Sequence, residues 1–311
     1  MKKRVLAAAM LIAAMHAAPA LARDEYGAVS DKEVVNLDPA KSYLIVQTSS
    51  DSSMFSFPVT LIRRAEPEEV ADYLARRATA LAKARGKWER KHAQWQDDMK
   101  TWNKLSPKDQ ALLKAKRPTE PNEPTDASLP FPALDMENMV TIGPFKRFAK
   151  TNGRSTFVQS VKPGRYVFYG PVFNAQAIGG TCMCMGSIEF EVKPRQIVHA
   201  GMMRINLLDA RSAAKAAKTV VPKNDFDLPQ DMTSIGWEAP VQGASIDPRL
   251  NAFAVIPAEL HAAGRIPNYA GIQIDRLTPI PGVLAYDRER VIDVKTGTTV
   301  SSAASASASS K

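Results

Sequence analysis

Four consecutive sulfur-bearing residues, Cys182-Met183-Cys184-Met185, form the stretch of this chain best equipped for chemistry. In an extended strand Cys182 and Cys184 face one way, and Met183 and Met185 the other. Soft thiolate and thioether groups select Cu(I). His199 lies close enough downstream to approach across a hairpin, together with Met202 and Met203. Two other readings stand beside copper. Cys and Met are ordinary core fillers. An oxidising compartment would also join Cys182 to Cys184, although an i, i+2 bridge strains the preferred disulfide geometry. The chain has only these two cysteines, which excludes a disulfide scaffold and makes the core hydrophobic.

Conventional catalytic signatures are missing from the sequence. There is no G-x-S-x-G elbow, no H-E-x-x-H zinc helix, no phosphate loop and no G-x-G-x-x-G. Beyond the leader the histidines are His92, His199 and His261, far apart in the chain. Triads assembled from distant segments leave an unrecognised hydrolase open, but no catalytic residue is named by pattern. The charge-dense Asp275-Arg276 and Tyr286 to Arg290 read as strand-end ion pairs.

A second constellation is aromatic. Leu74, Leu81, Trp88, Trp95 and Trp102 recur every seventh residue, with Ala71, Ala78, Arg85, His92 and Met99 in the alternate slots. This heptad pattern spans about four repeats and predicts a helix from Pro67 to Asn103, roughly 55 Å long. Pro67, Glu68 and Glu69 suit its N-terminus. The seam packs on the chain's own sheet or on a short second helix after Ser106-Pro107. Alternatively it is an interaction face, formed by Trp88, Trp95, Trp102, Leu74 and Leu81, for a protein partner or a second copy. Arg85 and His92 suit a dry core poorly and favour the interaction face. Pro118, Pro121, Pro124, Pro130 and Pro132 then predict an extended linker.

The elements that must carry these groups follow from the rest of the chain. Lys2, Lys3 and Arg4, the apolar run Val5 to Ala18, and Ala20-Leu21-Ala22 predict a signal peptide (1–22) cleaved near Ala22. The apolar run is roughly 14 residues, against the roughly 20 needed to span a bilayer. A periplasmic or secreted protein without a transmembrane segment is therefore expected. The net charge of +9 is concentrated in the leader and in Glu66 to Arg117. No aromatic-basic patch points to nucleic acid; the local excess reads as a solvated helix face, with an acidic partner surface as the sharper alternative.

Strands are expected at Ser42 to Gln47, Phe55 to Arg63, Met139 to Ile142, Phe145 to Lys150 and Ser155 to Val161. Others are expected at Arg165 to Tyr169, Ser187 to Val192, Ile197 to Ile205, Gly271 to Leu277 and Val283 to Tyr286. Thr48 to Ser53 reads as a turn and Ser234 to Pro248 as irregular. Asp209 to Thr219 and Pro257 to Ala263 read as helical, and 297–311 as a disordered Ser/Ala tail. The fold class is α+β: an antiparallel β-sandwich, Ig-like or transthyretin-like, with an inserted long helix or helical hairpin. Its body comprises 23–64 and 125–296, with 65–124 as the inserted helical arm and Pro-rich linker.

Val161-Lys162-Pro163-Gly164-Arg165-Tyr166, followed by the alternating Ser187 to Val192 and by Gly201, resembles a bacterial cell-envelope β-sandwich family of unknown function. In that family a Pro-Gly turn feeds a Tyr-bearing strand, then an alternating strand, then a glycine turn. The strand around Tyr43 fits as well. The likeness covers Ser42 to Arg63 and Met139 to Ile205, whereas the helical insertion and the Cys pair depart from it. It implies a fold and brings no chemistry. Two functions are therefore expected in turn: a non-enzymatic structural or interaction protein of the envelope, or a periplasmic copper-binding or redox module centred on Cys182 and Cys184.

Overall fold

A computed structural model describes residues 27–50, 57–112, 117–151, 153–175, 177–206 and 234–300. The leader, the helix read at Asp209 to Thr219 and the tail from 301 lie outside the described residues. In chain order the elements are β1 (Ser42–Ser50), β2 (Val59–Arg63), α1 (Pro67–Asn103), α2 (Pro107–Leu112), α3 (Leu134–Glu137) and β3 (Met139–Ile142). Next come β4 (Ala149–Thr151), β5 (Arg154–Val161), β6 (Gly164–Gly170), β7 (Val172–Ala175), β8 (Ala177–Cys182), β9 (Ser187–Val192) and β10 (Ile197–Asn206). The last are β11 (Ser234–Glu238), β12 (Val255–Pro257), β13 (His261–Ala263), β14 (Gln273–Ile274), β15 (Leu284–Asp287), β16 (Arg290–Asp293) and β17 (Thr298–Val300). The chain is thus α+β, mostly strand with one long helix. It divides into a β-rich unit, up to Arg64 and again from Asn138, and a helical unit, Ala65–Glu137. Residues 125–137, assigned to the body from sequence, fall in the helical unit.

Two sheets dominate the β-rich unit, in the orders β11-β10-β1-β5-β4 and β13-β9-β6-β2-β3. One apolar cluster draws on both. Leu44, Val46, Phe157, Val198 and Trp237 come from the first sheet, and Leu61, Val140, Phe168, Ile188 and Phe190 from the second. Period-two alternation explains the membership, because Tyr43 and Ile45 point the other way, into a cluster with Phe148, Val158 and Leu250. The opposite alternates of β2 and β6, Ile62, Val167 and Tyr169, join Cys182, Cys184 and Ile266. β1 is buried on both faces, which is why its sequence reads as a continuous apolar run. The unit also carries the smaller sheets β14-β8-β7 and β15-β16-β17.

Several sequence expectations are corrected. The first sheet is mixed rather than antiparallel: β1 and β12 both run parallel to β10. Parallel neighbours need a long crossover, and the chain threads the second sheet between β1 and β10. β1 continues through Ser49 and Ser50, which pair with β10 instead of turning. Pro257 to Ala263 is not helical. It supplies β12 to β10 and β13 to β9, and Ala258 N–H donates to the His199 carbonyl at 2.8 Å between them. Ser234 to Glu238 is a regular strand, anchored by buried Trp237 whose Nε1–H donates to the Ala200 carbonyl at 2.8 Å. Phe145 to Phe148 is a loop, and strand begins only at Ala149. Within the expected tail, Thr298–Val300 pairs with β16.

Candidate functional site

The helical unit is built around α1, 37 residues starting at Pro67. The Glu69 carboxylate accepts from the Glu66 backbone N–H at 3.0 Å, closing the first turn. At the other end the Leu105 N–H and the Gln110 Nε2 both donate to the Trp102 carbonyl. Tyr73 is buried against Phe131, ring centroids 5.4 Å apart, and its hydroxyl donates to the Pro132 carbonyl at 3.1 Å.

The chain's own proline-rich return covers Trp88 and Trp95 of the seam. Trp88 Nε1–H donates to the Pro121 carbonyl at 2.9 Å, and Trp95 Nε1–H to the Pro118 carbonyl at 3.4 Å. His92 sits between the two indoles, 4.8 Å from one and 5.2 Å from the other, centroid to centroid. In the return segment Pro118, Pro121 and Pro124 are half-buried while the residues between them are exposed, the three-residue period of a polyproline II strand. Charges line the same contact: Arg77 faces Asp126 at 3.6 Å, Arg85 faces Glu123 at 3.9 Å and His92 faces Glu120 at 3.2 Å. From Arg85 to His92 and from Trp88 to Trp95 a step of seven residues on the helix meets a step of three on the strap, and from Arg77 to Arg85 the step is eight. Seven residues of helix rise about 10.5 Å and three of polyproline about 9.3 Å, so the two repeats nearly match. This register accounts for a heptad without a partner helix. It also explains Arg85, beside the seam, and His92, within it, which meet strap carboxylates.

The outer members of the predicted face behave differently. Leu81 and Trp102 are half-buried, whereas Leu74 is 47% exposed. A straight helix drifts about 20° per heptad, so two heptads before Trp88 the line through Leu74 has turned off the seam and Tyr73 replaces it.

The sulfur run takes up the alternation expected of it. Cys182 and Cys184 are joined as a disulfide, buried beside Ile62, Val167 and Tyr169. Met183 points into the cluster shared by the two main sheets, and Met185 is half-buried. In the bonded form the sulfurs offer no thiolate to a soft metal, so copper binding would require the reduced dithiol. His199 shares neither cluster nor recess with them. It faces away from the core cluster, buried, and lines a recess of about 420 Å³ with Ser245, Leu250 and Phe253. Its Nε2 has no hydrogen-bond partner among the described residues, and burial depresses its pKa to about 4. Among the described residues no group of three His, Cys, Asp or Glu side chains is arranged to hold a metal ion.

One pairing escaped the sequence reading. His261 Nδ1 lies 3.2 Å from Asp293 Oδ2, and the same oxygen accepts from Ala262 N–H at 3.1 Å. Asp293 Oδ1 accepts from Thr296 N–H at 3.0 Å, the turn that sends β16 into β17. Burial alone would raise the Asp293 pKa, but these backbone donors and His261 hold it below the usual carboxylate value. The pair borders a groove of about 740 Å³. Among the described residues its lining includes Thr296, Thr298 and Thr299 but no Ser or Cys, and Thr296 and Thr298 hydroxyls are bonded to each other at 2.7 Å. The arrangement latches the β16–β17 turn to β13. Nothing in the spacing of His261 and Asp293 announces it.

Comparison with family models, curated proteins and solved structures finds no match to this chain. Among the described residues no helix is long and apolar enough to cross a membrane.

Proposed function

We propose that the chain is an exported cell-envelope protein that works by binding rather than by catalysis. Its body is read as a β-sandwich, Ig-like or transthyretin-like, with the helical unit as its interaction module. The shared core of the two main sheets supports the sandwich. So does Tyr166, whose hydroxyl donates to the Lys162 carbonyl at 2.5 Å across the Pro163-Gly164 turn, like the tyrosine corner of immunoglobulin-type sandwiches. The resemblance of that same turn to an envelope family, and the signal-like leader, support the compartment.

The observation that carries the functional reading is the occupied seam. With Trp88 and Trp95 satisfied by the strap, the face left for a partner is the other side of α1. There Lys83, Lys87 and Arg90 are exposed at helical spacing, with Lys91 exposed on the border towards the seam. None of the four is ion-paired with another described residue. The partner this face suits is an acidic protein surface.

Deletion of the insert tests the reading. Arg63 N–H donates to the Asn138 carbonyl at 3.1 Å, and Ile62 pairs with Met139. Residues 64–137 can therefore be replaced by a two-residue Asn-Gly turn. The shortened protein should unfold cooperatively on its own and lose crosslinks to its envelope partner, with an N-terminus near Arg23 by mass spectrometry. Collapse of the body on deletion, or crosslinks that survive it, would refute the proposal.

A further inference from the structure

The β-rich unit carries a second cationic surface, and its shape points to a different kind of partner. Between Glu137 and Glu189 the chain contains no Asp or Glu at all, yet it carries Lys146, Arg147, Lys150, Arg154, Lys162 and Arg165. Three of these cations gather at one place. β4 is the free edge of the first sheet and is only three residues long. Lys150 lies on it and Lys146 in the loop that feeds it, while Arg154 stands opposite Thr151 across the β4–β5 turn. Lys146, Lys150 and Arg154 are exposed, and none is ion-paired with another described residue.

The feeding loop presents Phe145 at 79% exposure, more than any other large apolar side chain described. Gly143 at the loop base has φ +72, and a Cβ there would stand 2.9 Å from the ring of buried Phe157, so the loop is seated directly on the core. Lys146, next to Phe145, takes a left-handed φ of 55, a conformation unfavourable for a non-glycine residue. A lysine on a short edge strand is accounted for by protection against edge-to-edge pairing. A bare phenylalanine beside it is not.

We propose that the β3–β4 loop and the β4–β5 turn dock this unit on an anionic phospholipid bilayer, with Phe145 entering the headgroup layer and Lys146, Lys150 and Arg154 meeting lipid phosphates. An aromatic side chain at headgroup depth ringed by basic residues combines the two contributions that reversible membrane association requires. A soluble acidic protein or polymer would use the charges and have no need of the exposed ring. This inference is independent of the role given to α1.

Co-sedimentation of the full chain with sucrose-loaded vesicles tests it. Binding is expected to phosphatidylglycerol–phosphatidylethanolamine vesicles, to weaken with salt, and to be absent on phosphatidylcholine. Each basic residue at such a surface contributes about fivefold, so Lys146→Glu with Lys150→Glu and Arg154→Glu should weaken partitioning at least about a hundredfold. Phe145→Ser should weaken it at unchanged charge, and Phe145→Trp should add a blue-shifted emission component on binding. All four positions are exposed, so thermal melts of the variants should match the parent. The proposal is overturned by failure to bind anionic vesicles, by equal binding to phosphatidylcholine, or by binding that the loop variants leave intact. Loss of binding in Lys83→Glu with Lys87→Glu, and not in the loop variants, would assign the membrane to α1 and equally overturn it.

Discussion

Replacing His199 with phenylalanine should remove much of the acid sensitivity of the β-rich unit. A histidine free in an unfolded chain titrates near 6.5, whereas His199, buried beneath the 241–253 segment, is held neutral down to about 4. Between those values the unfolded chain binds a proton that the folded chain refuses. Folded stability therefore falls as pH drops from 6.5 towards 4 and is unaffected by this group above 6.5. At about 1.36 kcal/mol per tenfold of proton affinity, the full difference is about 3 kcal/mol, of which about 2 kcal/mol is already lost at pH 5. Asp247 lines the same recess, its carboxyl lowered chiefly by the hydrogen bond from Arg249, and Asp293 is also lowered. Both carboxylates also make stability fall in acid, so the variant must be compared with the parent rather than read alone. Urea unfolding at pH 7.5 and pH 5 gives the comparison. The difference in stability between the His199→Phe variant and the parent should shift by about 2 kcal/mol in favour of the variant at the lower pH. Parallel pH profiles for the two proteins would refute the reasoning and imply a protonated or solvent-connected imidazole.

Tyr166→Phe removes one buried-end hydrogen bond at the Pro163-Gly164 turn. It should lower the unfolding free energy by about 1 kcal/mol, read from the urea midpoint; an unchanged midpoint would mean the corner does not anchor the strand. Pro118→Ser with Pro121→Ser should loosen the strap, red-shift tryptophan emission and expose 117–124 to protease, and emission identical to the parent would contradict the proposed cover. Iodoacetamide under denaturing, non-reducing conditions should label no thiol in protein from an oxidising compartment, and two after reduction. Two thiols labelled before reduction would exclude the Cys182–Cys184 bond. Cys182→Ala with Cys184→Ala should cost about 1–2 kcal/mol, since both sulfurs fill a packed cluster.

Legibility in the sequence followed how local each signal was. β9 announced itself through Ser187-Ile188-Glu189-Phe190-Glu191-Val192, because its alternation is complete within one strand. α1 was visible because its periodicity is intrinsic, and even its heptad was readable. The seam's cover was hidden, because a seven-to-three register matches no helix-on-helix template and the prolines looked only like a linker. β12 and β13 were missed because strands of three residues take their identity from the edges they join, β10 and β9, far away in sequence. β11 lay in a segment without alternation strong enough to outweigh its glycine, and buried Trp237 was the neglected clue. The β16–β17 turn and its latch depend on His261 meeting Asp293, an association that only the folded chain creates. The sulfur run was legible as a strand alternation, while the choice among packing, bond and metal was not.

The seven-to-three register also governs how the helical unit can change length. An insertion of one heptad in α1 leaves the seam without cover unless three residues are added to the strap, so tolerated insertions should come as matched pairs, seven outbound and three on return. Each such pair lengthens the rod by about 10 Å but adds about 1.2 Å of mismatch between the two repeats. The two scales behave like a vernier: coincidence is good over two or three rungs and then runs out. The rod therefore has a natural maximum length, beyond which a tryptophan indole would no longer find a carbonyl opposite it. Variation in reach should be found in whole steps below that limit rather than in single residues.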